Sequence, residues 1–320
     1  MVLRRFKHRL KFLLLIMIIG LFFLFCLFNQ PRHIDHQDMT FELPPPFVAV
    51  TAEVDVYITS RAFPLYDQVR AYHRDFLVPT FAANEVEDVE LWEGRLHDQH
   101  DEGALRPLAA DEVGSRCEFG VALLIRKEDG AVLGGASHEV YLKSRSALIS
   151  YMVVSSELRG RGAAKLLVDA VFHNGESIVQ TTVAAPLAAV VIEVLQVRDD
   201  HDDEHGSDAA HDTPTPATTT FRSADRQIIF RKLGFQPVDL DFVHPGKLKG
   251  HRYNIGVASR SLDITNGRFP ADVLLLFLEG LVMGILADEG STDDTEMKQW
   301  RELLTDREGG WIGVGDAFWR

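Results

Sequence analysis

The sequence predicts a mixed α/β domain on an N-terminal membrane helix. Three observations lead there: a long apolar run near the start, a body in which strand-period and helix-period segments alternate, and a turn of two glycines and two arginines where a strand gives way to a helix. The 320 residues allow one large domain or two small ones, and an apolar content of 46% with 25% charged residues calls for a packed core.

Residues 12–28, FLLLIMIIGLFFLFCLF, carry no charge and as a helix would span about 26 Å, enough to cross a bilayer. Arg4, Arg5, Lys7, Arg9 and Lys11 precede the run, and Asn29 and Gln30 follow it, so the N-terminus is expected in the cytoplasm and the body beyond the membrane. A cleaved signal peptide is the competing reading, but NQPRH lacks a small-x-small cleavage pattern. Residues 31–50, with three prolines at 44–46, read as an extended stalk.

From there the elements follow in order. VDVYITSR (54–61) alternates as a strand, LYDQVRAYHRDFLVPTF (65–81) has a helical period, and a second helix covers 85–99. Residues 117–142 read as two strands joined at Glu128-Asp129-Gly130. SALISYMVV (146–154) is apolar throughout and suits the centre of a sheet. A helix from Ala163 to Phe172 and a buried-type strand at 188–197 come next. Residues 222–234 form a helix with Gly234 as its left-handed cap, and 235–243 and 252–260 close the sheet as two strands. Residues 271–287 could pass for a second span, but Glu279 at their centre points to a buried helix against the sheet. The tail with Trp300, Trp311 and Trp319 adds a further helix.

The formal charge is −14, and half of it sits in residues 199–220, which hold seven acidic groups and no Lys or Arg. That composition cannot pack and is expected to be a solvated loop, its His201, His205 and His211 implying no tight metal geometry. The acidic balance argues against a nucleic-acid partner, and no metal is expected. Of the two cysteines, Cys26 lies in the apolar run, so no internal bridge with Cys117 is expected and the compartment stays open.

The turn SSELRGRGAAKLL (155–167) carries the chemistry. A dinucleotide fingerprint would need glycine where Lys165 stands, and a Walker loop would need Gly-Lys-Ser/Thr where the chain has Ala164-Lys165-Leu166. A ligand-free tight turn remains the plain alternative. Arg159-x-x-Gly162-x-Ala164, directly after a strand and before a helix, resembles the acyl-CoA signature of the GNAT superfamily of acetyl-CoA-dependent N-acetyltransferases. LISYMVV is similar to the family's fourth strand, VVIEV to its fifth and FRKLGFQPV to the helix end and strand that follow, so the resemblance covers residues 53–260.

The resemblance implies a mixed, mostly antiparallel sheet whose fourth and fifth strands splay, and acetyl-CoA as co-substrate. Gly160, Arg161, Gly162, Ala163, Ala164 and Lys165 would hold its diphosphate on successive N–H groups at a helix start, with charge from Arg159, Arg161 or Lys165. Met152, Val153 and Val154 would pair with its pantetheine arm. The family's Glu base on the fourth strand is replaced by Ser150, and its Tyr acid, four residues before the Gly of GF, by Phe230. Glu193, Glu139 and Tyr151 are the remaining catalytic candidates, Glu193 being alternatively an ion-pair partner of Arg226. The expected organisation is a basic segment and anchor at 1–30, a stalk at 31–50, the acetyltransferase domain at 51–260 and a helical extension at 261–320. The expected reaction is acetyl transfer to an amine of a small molecule or protein. A silent acyl-CoA-binding or scaffolding module is the rival, since both family proton-transfer residues are absent.

Overall fold

Ten-residue segments that are mostly apolar on both faces, such as 117–126 and 132–141, become strands covered on both sides. The computed structural model describes residues 48–49, 53–59, 63–83, 85–101, 116–195, 223–244, 252–289, 295–305 and 310–319. The anchor, most of the stalk and the acidic insertion lie outside the described residues. Among the described residues no helix is long and apolar enough to cross a membrane, and no group of His, Cys, Asp and Glu could hold a metal ion.

The main sheet comprises β1 (Val48–Ala49), β2 (Val54–Ile58), β3 (Cys117–Arg126), β4 (Val132–Tyr141), β5 (Ser146–Val154), β6 (Ala189–Leu195), β7 (Gln236–Pro237), β8 (Phe242–Val243) and β9 (Arg252–Ala258). Its order is β1-β2-β3-β4-β5-β6-β9-β7, with β8 also on β9. Every pair is antiparallel except β5 with β6. A parallel pair needs a crossover, and α3 (Ala163–Val183) supplies it.

Helix α3 runs eleven residues past the expected end at Phe172, and two of those residues are used inside. Gly175 passes so close to the start of β6 that a Cβ would lie 3.1 Å from Leu187 Cδ2. Asn174 Nδ2 lies 2.8 Å from Nε2 of the buried His138 on β4. The segment expected as one helix at 65–81 is α1 (Tyr66–Tyr72) followed by a π-type turn at His73–Leu77, and α2 spans Val89–Asp101. The single strand expected at 235–243 is split into β7 and β8, since Pro237 has no N–H to continue a ladder. Gly234 caps α4 (Ser223–Lys232) at φ 92°, as expected.

Two cores flank the sheet. On one face α3 buries Leu167, Val171, Ile178 and Val179 against Ala122, Ala147 and Ile192, and Phe230 and Leu233 at the end of α4 join it. The other face is shared. Toward β3 and β4 it carries α1 and α2, which bury Tyr72 and Trp92, with the Tyr72 hydroxyl donating to the Gly135 carbonyl at 2.9 Å. Toward β6 and β9 it carries α5 (Ala271–Glu289) and α6 (Thr295–Thr305).

Residues Leu274, Phe277, Leu278, Leu281 and Val282 of α5 recur at helical spacing and are all buried, each contributing about 2 kcal/mol. Glu279 lies on the rim, 3.1 Å from Lys143 and 2.9 Å from Arg301. The helix is therefore a layer of the fold, as its central Glu indicated. A small two-stranded sheet, β10 (Arg268–Pro270) with β11 (Trp311–Gly313), ties the tail back, so Ile264, Phe269, Met297, Trp300, Leu304, Ile312 and Val314 join the second core instead of standing apart.

His138 is fully buried with Nδ1 unpartnered, and desolvation pushes its pKa down to about 4. The unfolded chain therefore takes up a proton below the ordinary histidine value while the folded one does not. Stability should fall as pH drops from about 6.5 toward 4, by on the order of 3 kcal/mol. Denaturant melts of His138→Gln across that window should lose this slope.

Candidate active site

The ladder between β5 and β6 stops early. Ser146, Ala147, Leu148 and Ile149 pair with Ala189, Val190, Val191 and Ile192, and nothing beyond them is paired. On its other side β5 continues against β4 to Val154, and β6 continues against β9 to Leu195. The strands thus part into a fork whose first residues are Ser150 and Glu193. A bulge causes the parting: Ser137 faces Tyr151 while His138 faces Ile149, so Ser150 is an extra, exposed residue that bends β5 away.

Past the bulge β5 has an open edge. Ser155 N–H donates to Leu133 O at 2.8 Å, so by the ladder's alternation Val153 turns its main chain toward β4. Of the three residues expected to pair with a ligand, Met152 and Val154 therefore present their N–H and C=O groups to the fork, and Val153 does not. The Arg159 Nε donates to Val154 O at 3.4 Å on that edge.

The edge leads straight into the glycine turn. Gly160 and Gly162 have φ of 75° and 83°, a left-handed region that other side chains enter only with strain. Both are exposed, and a Cβ at either would meet nothing within 4 Å. Gly162 caps α3. Among the described residues no carbonyl or side chain accepts from the N–H groups of Gly160, Gly162, Ala163, Ala164 or Lys165. Helix starts leave such donors bare, and at this exposed turn the helix dipole favours an anion. Lys165 lies along the helix, 2.7 Å from Asp169, so Arg159 and the exposed Arg161 are the nearer charges. The residues present fit a diphosphate.

The catalytic candidates separate. Glu193 sits at the fork on the face opposite α3, with Oε1 buried and unpartnered. Desolvation, and then the charge of Glu139, raise its pKa to about 8. Among the described residues it forms no ion pair with Arg226, so the structural pairing considered for it is not found. Glu139 is committed elsewhere. Arg95 holds one oxygen at 3.1 Å, and the Tyr141 hydroxyl donates to the other, with Cys117 Sγ 4.0 Å away. Arg95 is itself held 3.0 Å from Glu87, whose carboxylate accepts from Trp92 Nε1 at 2.8 Å. Both oxygens of Glu139 being engaged, the structure corrects its candidacy as a base to that of a fixed negative neighbour of Glu193.

The Tyr151 hydroxyl donates to the Glu85 carbonyl, and its ring packs 5.4 Å from Phe81 and 5.8 Å from Trp92. Burial raises its pKa above the ordinary tyrosine range, and the hydroxyl anchors the loop before α2 instead of facing a reacting atom. Tyr253 escaped the sequence reading. It lies on β9 opposite Leu195, next to the fork, where burial and then Glu193 raise its pKa to about 12. Strand alternation in RYNIGVA places it on a face with Ile255 and Val257, but only pairing with β6 brings that face to Glu193.

No family model matches the chain, and no curated protein does. Among solved structures, the chain is similar to a protein assigned to the GNAT family of acetyltransferases from Desulfovibrio desulfuricans (12% identity, 64% of this chain and 98% of that one, TM-score 0.40). It is also similar to NAA60 of Arabidopsis thaliana in complex with a bisubstrate analogue (12%, 64% and 97%, 0.36). A third is the microcin C7 self-immunity acetyltransferase MccE in complex with acetyl-CoA and AMP (11%, 68% and 98%, 0.38). Likeness at this level lends no residue a role; the geometry above has to do so.

The cradle makes a direct prediction. Gly162→Glu puts a strained, negative side chain among the donors and should abolish acetyl-CoA binding by calorimetry, while Gly162→Ala should weaken it only several-fold. As nothing packs on Gly162, both variants should melt within a few degrees of the parent.

Proposed function

We propose that this protein is a membrane-anchored N-acetyltransferase that moves an acetyl group from acetyl-CoA to an amine. The observation that carries the reading is the continuity of the open β5 edge with the uncommitted N–H groups at the start of α3. One supports an extended thioester-bearing arm as an added strand, and the other a diphosphate.

In this reading Met152 and Val154 fix the arm, and the Met152 N–H receives the thioester oxygen as charge gathers on it. Glu193, on β6, stands across the fork from Ser150 and takes over from the missing fourth-strand carboxylate. A neutral amine attacks the thioester carbonyl carbon, its proton passes to the Glu193 carboxylate, the carbon–sulfur bond breaks, and the thiolate leaves and takes up a proton. With a pKa near 8 Glu193 is well matched to an amine at near-neutral pH. The apolar run at 12–28 and the basic residues before it support a single-pass anchor with the N-terminus cytoplasmic and the catalytic domain lumenal or extracytoplasmic.

Several measurements test these assignments. The kcat/KM for acetyl transfer should rise with pH to a plateau above about 8, and Glu193→Gln should remove that limb and lower the plateau by 10²–10⁴-fold. Glu139→Gln, by deleting a neighbouring negative charge, should move the midpoint down. Because the fold raises the Glu193 pKa, ionisation destabilises it, so Glu193→Gln should melt higher than the parent at pH 8 and lose the advantage below about pH 4.5. Acetyl-CoA binding without turnover over a broad amine panel would favour the silent module. For topology, the domain in sealed vesicles should resist added protease until detergent is supplied, and digestion beforehand would refute the placement.

A further inference from the structure

We propose that Arg226 selects the acceptor by holding a carboxylate carried on the same molecule as the reacting amine, an assignment that rests on the acetyl-transfer reading. Arg226 lies in the first turn of α4, a helix whose Phe230 and Leu233 pack on the cradle face of the sheet. Its guanidinium nevertheless stacks on the Phe81 ring, 5.3 Å from the centroid. Phe81 meets Tyr151 edge-on, and Tyr151 is bonded to Glu85 of the same loop, on the opposite face. An arginine rooted on one face thus ends on the other, which is possible where β5 and β6 have parted.

Among the described residues this half-buried guanidinium makes no hydrogen bond or ion pair. A guanidinium packed on a ring keeps its N–H donors available, and their fork can take a carboxylate on two parallel bonds. Its field reaches Tyr253, which it acts on together with Glu193 and Glu85. The Arg226 guanidinium and the Glu193 and Glu85 carboxyl groups thus lie near Tyr253 on the face away from the diphosphate cradle, beside the Arg95–Glu139 pair. The cradle leaves the anions of acetyl-CoA on the other face, so the anion that Arg226 meets belongs to the acceptor. An acceptor bearing its amine toward Glu193 and a carboxylate toward Arg226 is complementary to both; a polycationic amine would place a like charge against Arg226.

The test uses the full chain in detergent and a ladder of ω-amino acids, glycine to aminohexanoate, each paired with its carboxamide. For the rung that spans Glu193 and Arg226, the carboxylate member should have a kcat/KM about tenfold above its carboxamide. In Arg226→Gln that ratio should fall to about one, in Arg226→Glu it should invert, and in Arg226→Lys it should be partly restored. Acetyl-CoA binding by calorimetry in each variant reports that the fold is intact. Equal rates for both members on every rung, or equal losses for both in Arg226→Gln, overturn the assignment. If acetyl-CoA binds and no amine is acetylated, the transfer reading fails by itself. Equilibrium binding of the same pairs then decides Arg226, which stands only if the carboxylate binds more tightly to the parent and not to Arg226→Gln.

Discussion

The structure turns on a set of hydrogen bonds that β5 does not make. One inserted residue, Ser150, breaks the register between β4 and β5, and from that point β5 and β6 diverge. Unpaired strand edges in the middle of a sheet are costly, since each bare N–H and C=O must otherwise be satisfied. Here the divergence leaves Met152 and Val154 facing a gap and delivers the chain into an exposed glycine turn at a helix start. Every feature of the candidate site is either made or exposed by that fork.

The electrostatics of the site follow from the same event. Glu193 lies on a strand that is otherwise apolar, and the fork leaves it with no partner among the described residues, so burial favours its neutral form. Glu139 is near enough to add to the effect and is held by Arg95 and Tyr141. Two carboxyl groups of the same type are thereby placed in opposite surroundings, one engaged by donors and one with none. Arg226, which might have neutralised Glu193, is instead held on Phe81.

Much of this was legible residue by residue. The two glycines, the flanking arginines and the strand-to-helix junction marked the turn that the structure places at the start of α3, because positive φ and bare helix N–H groups are local properties. The buried helix at 271–289 could be read from one central Glu amid an apolar run. What failed to show were contacts between distant segments. The polar residues HNGES at 173–177 lie beyond the expected helix end at Phe172, yet they continue α3, with Asn174 meeting His138 and Gly175 meeting Leu187. Tyr253 and Phe81 join the site only through pairing and packing between segments far apart in the chain.

The sequence alone therefore determined the alternation of strands and helices, the glycine turn at a helix start, and the unusual acid in a buried strand. These depend on backbone preference and on the hydrophobicity of neighbouring residues. The tertiary structure alone decided where β5 leaves β6, which face each acid occupies, and that Glu139 is tied up while Glu193 is bare. Those outcomes depend on register and on burial among residues remote in the chain, and a one-residue bulge, invisible as composition or period, changes all of them at once.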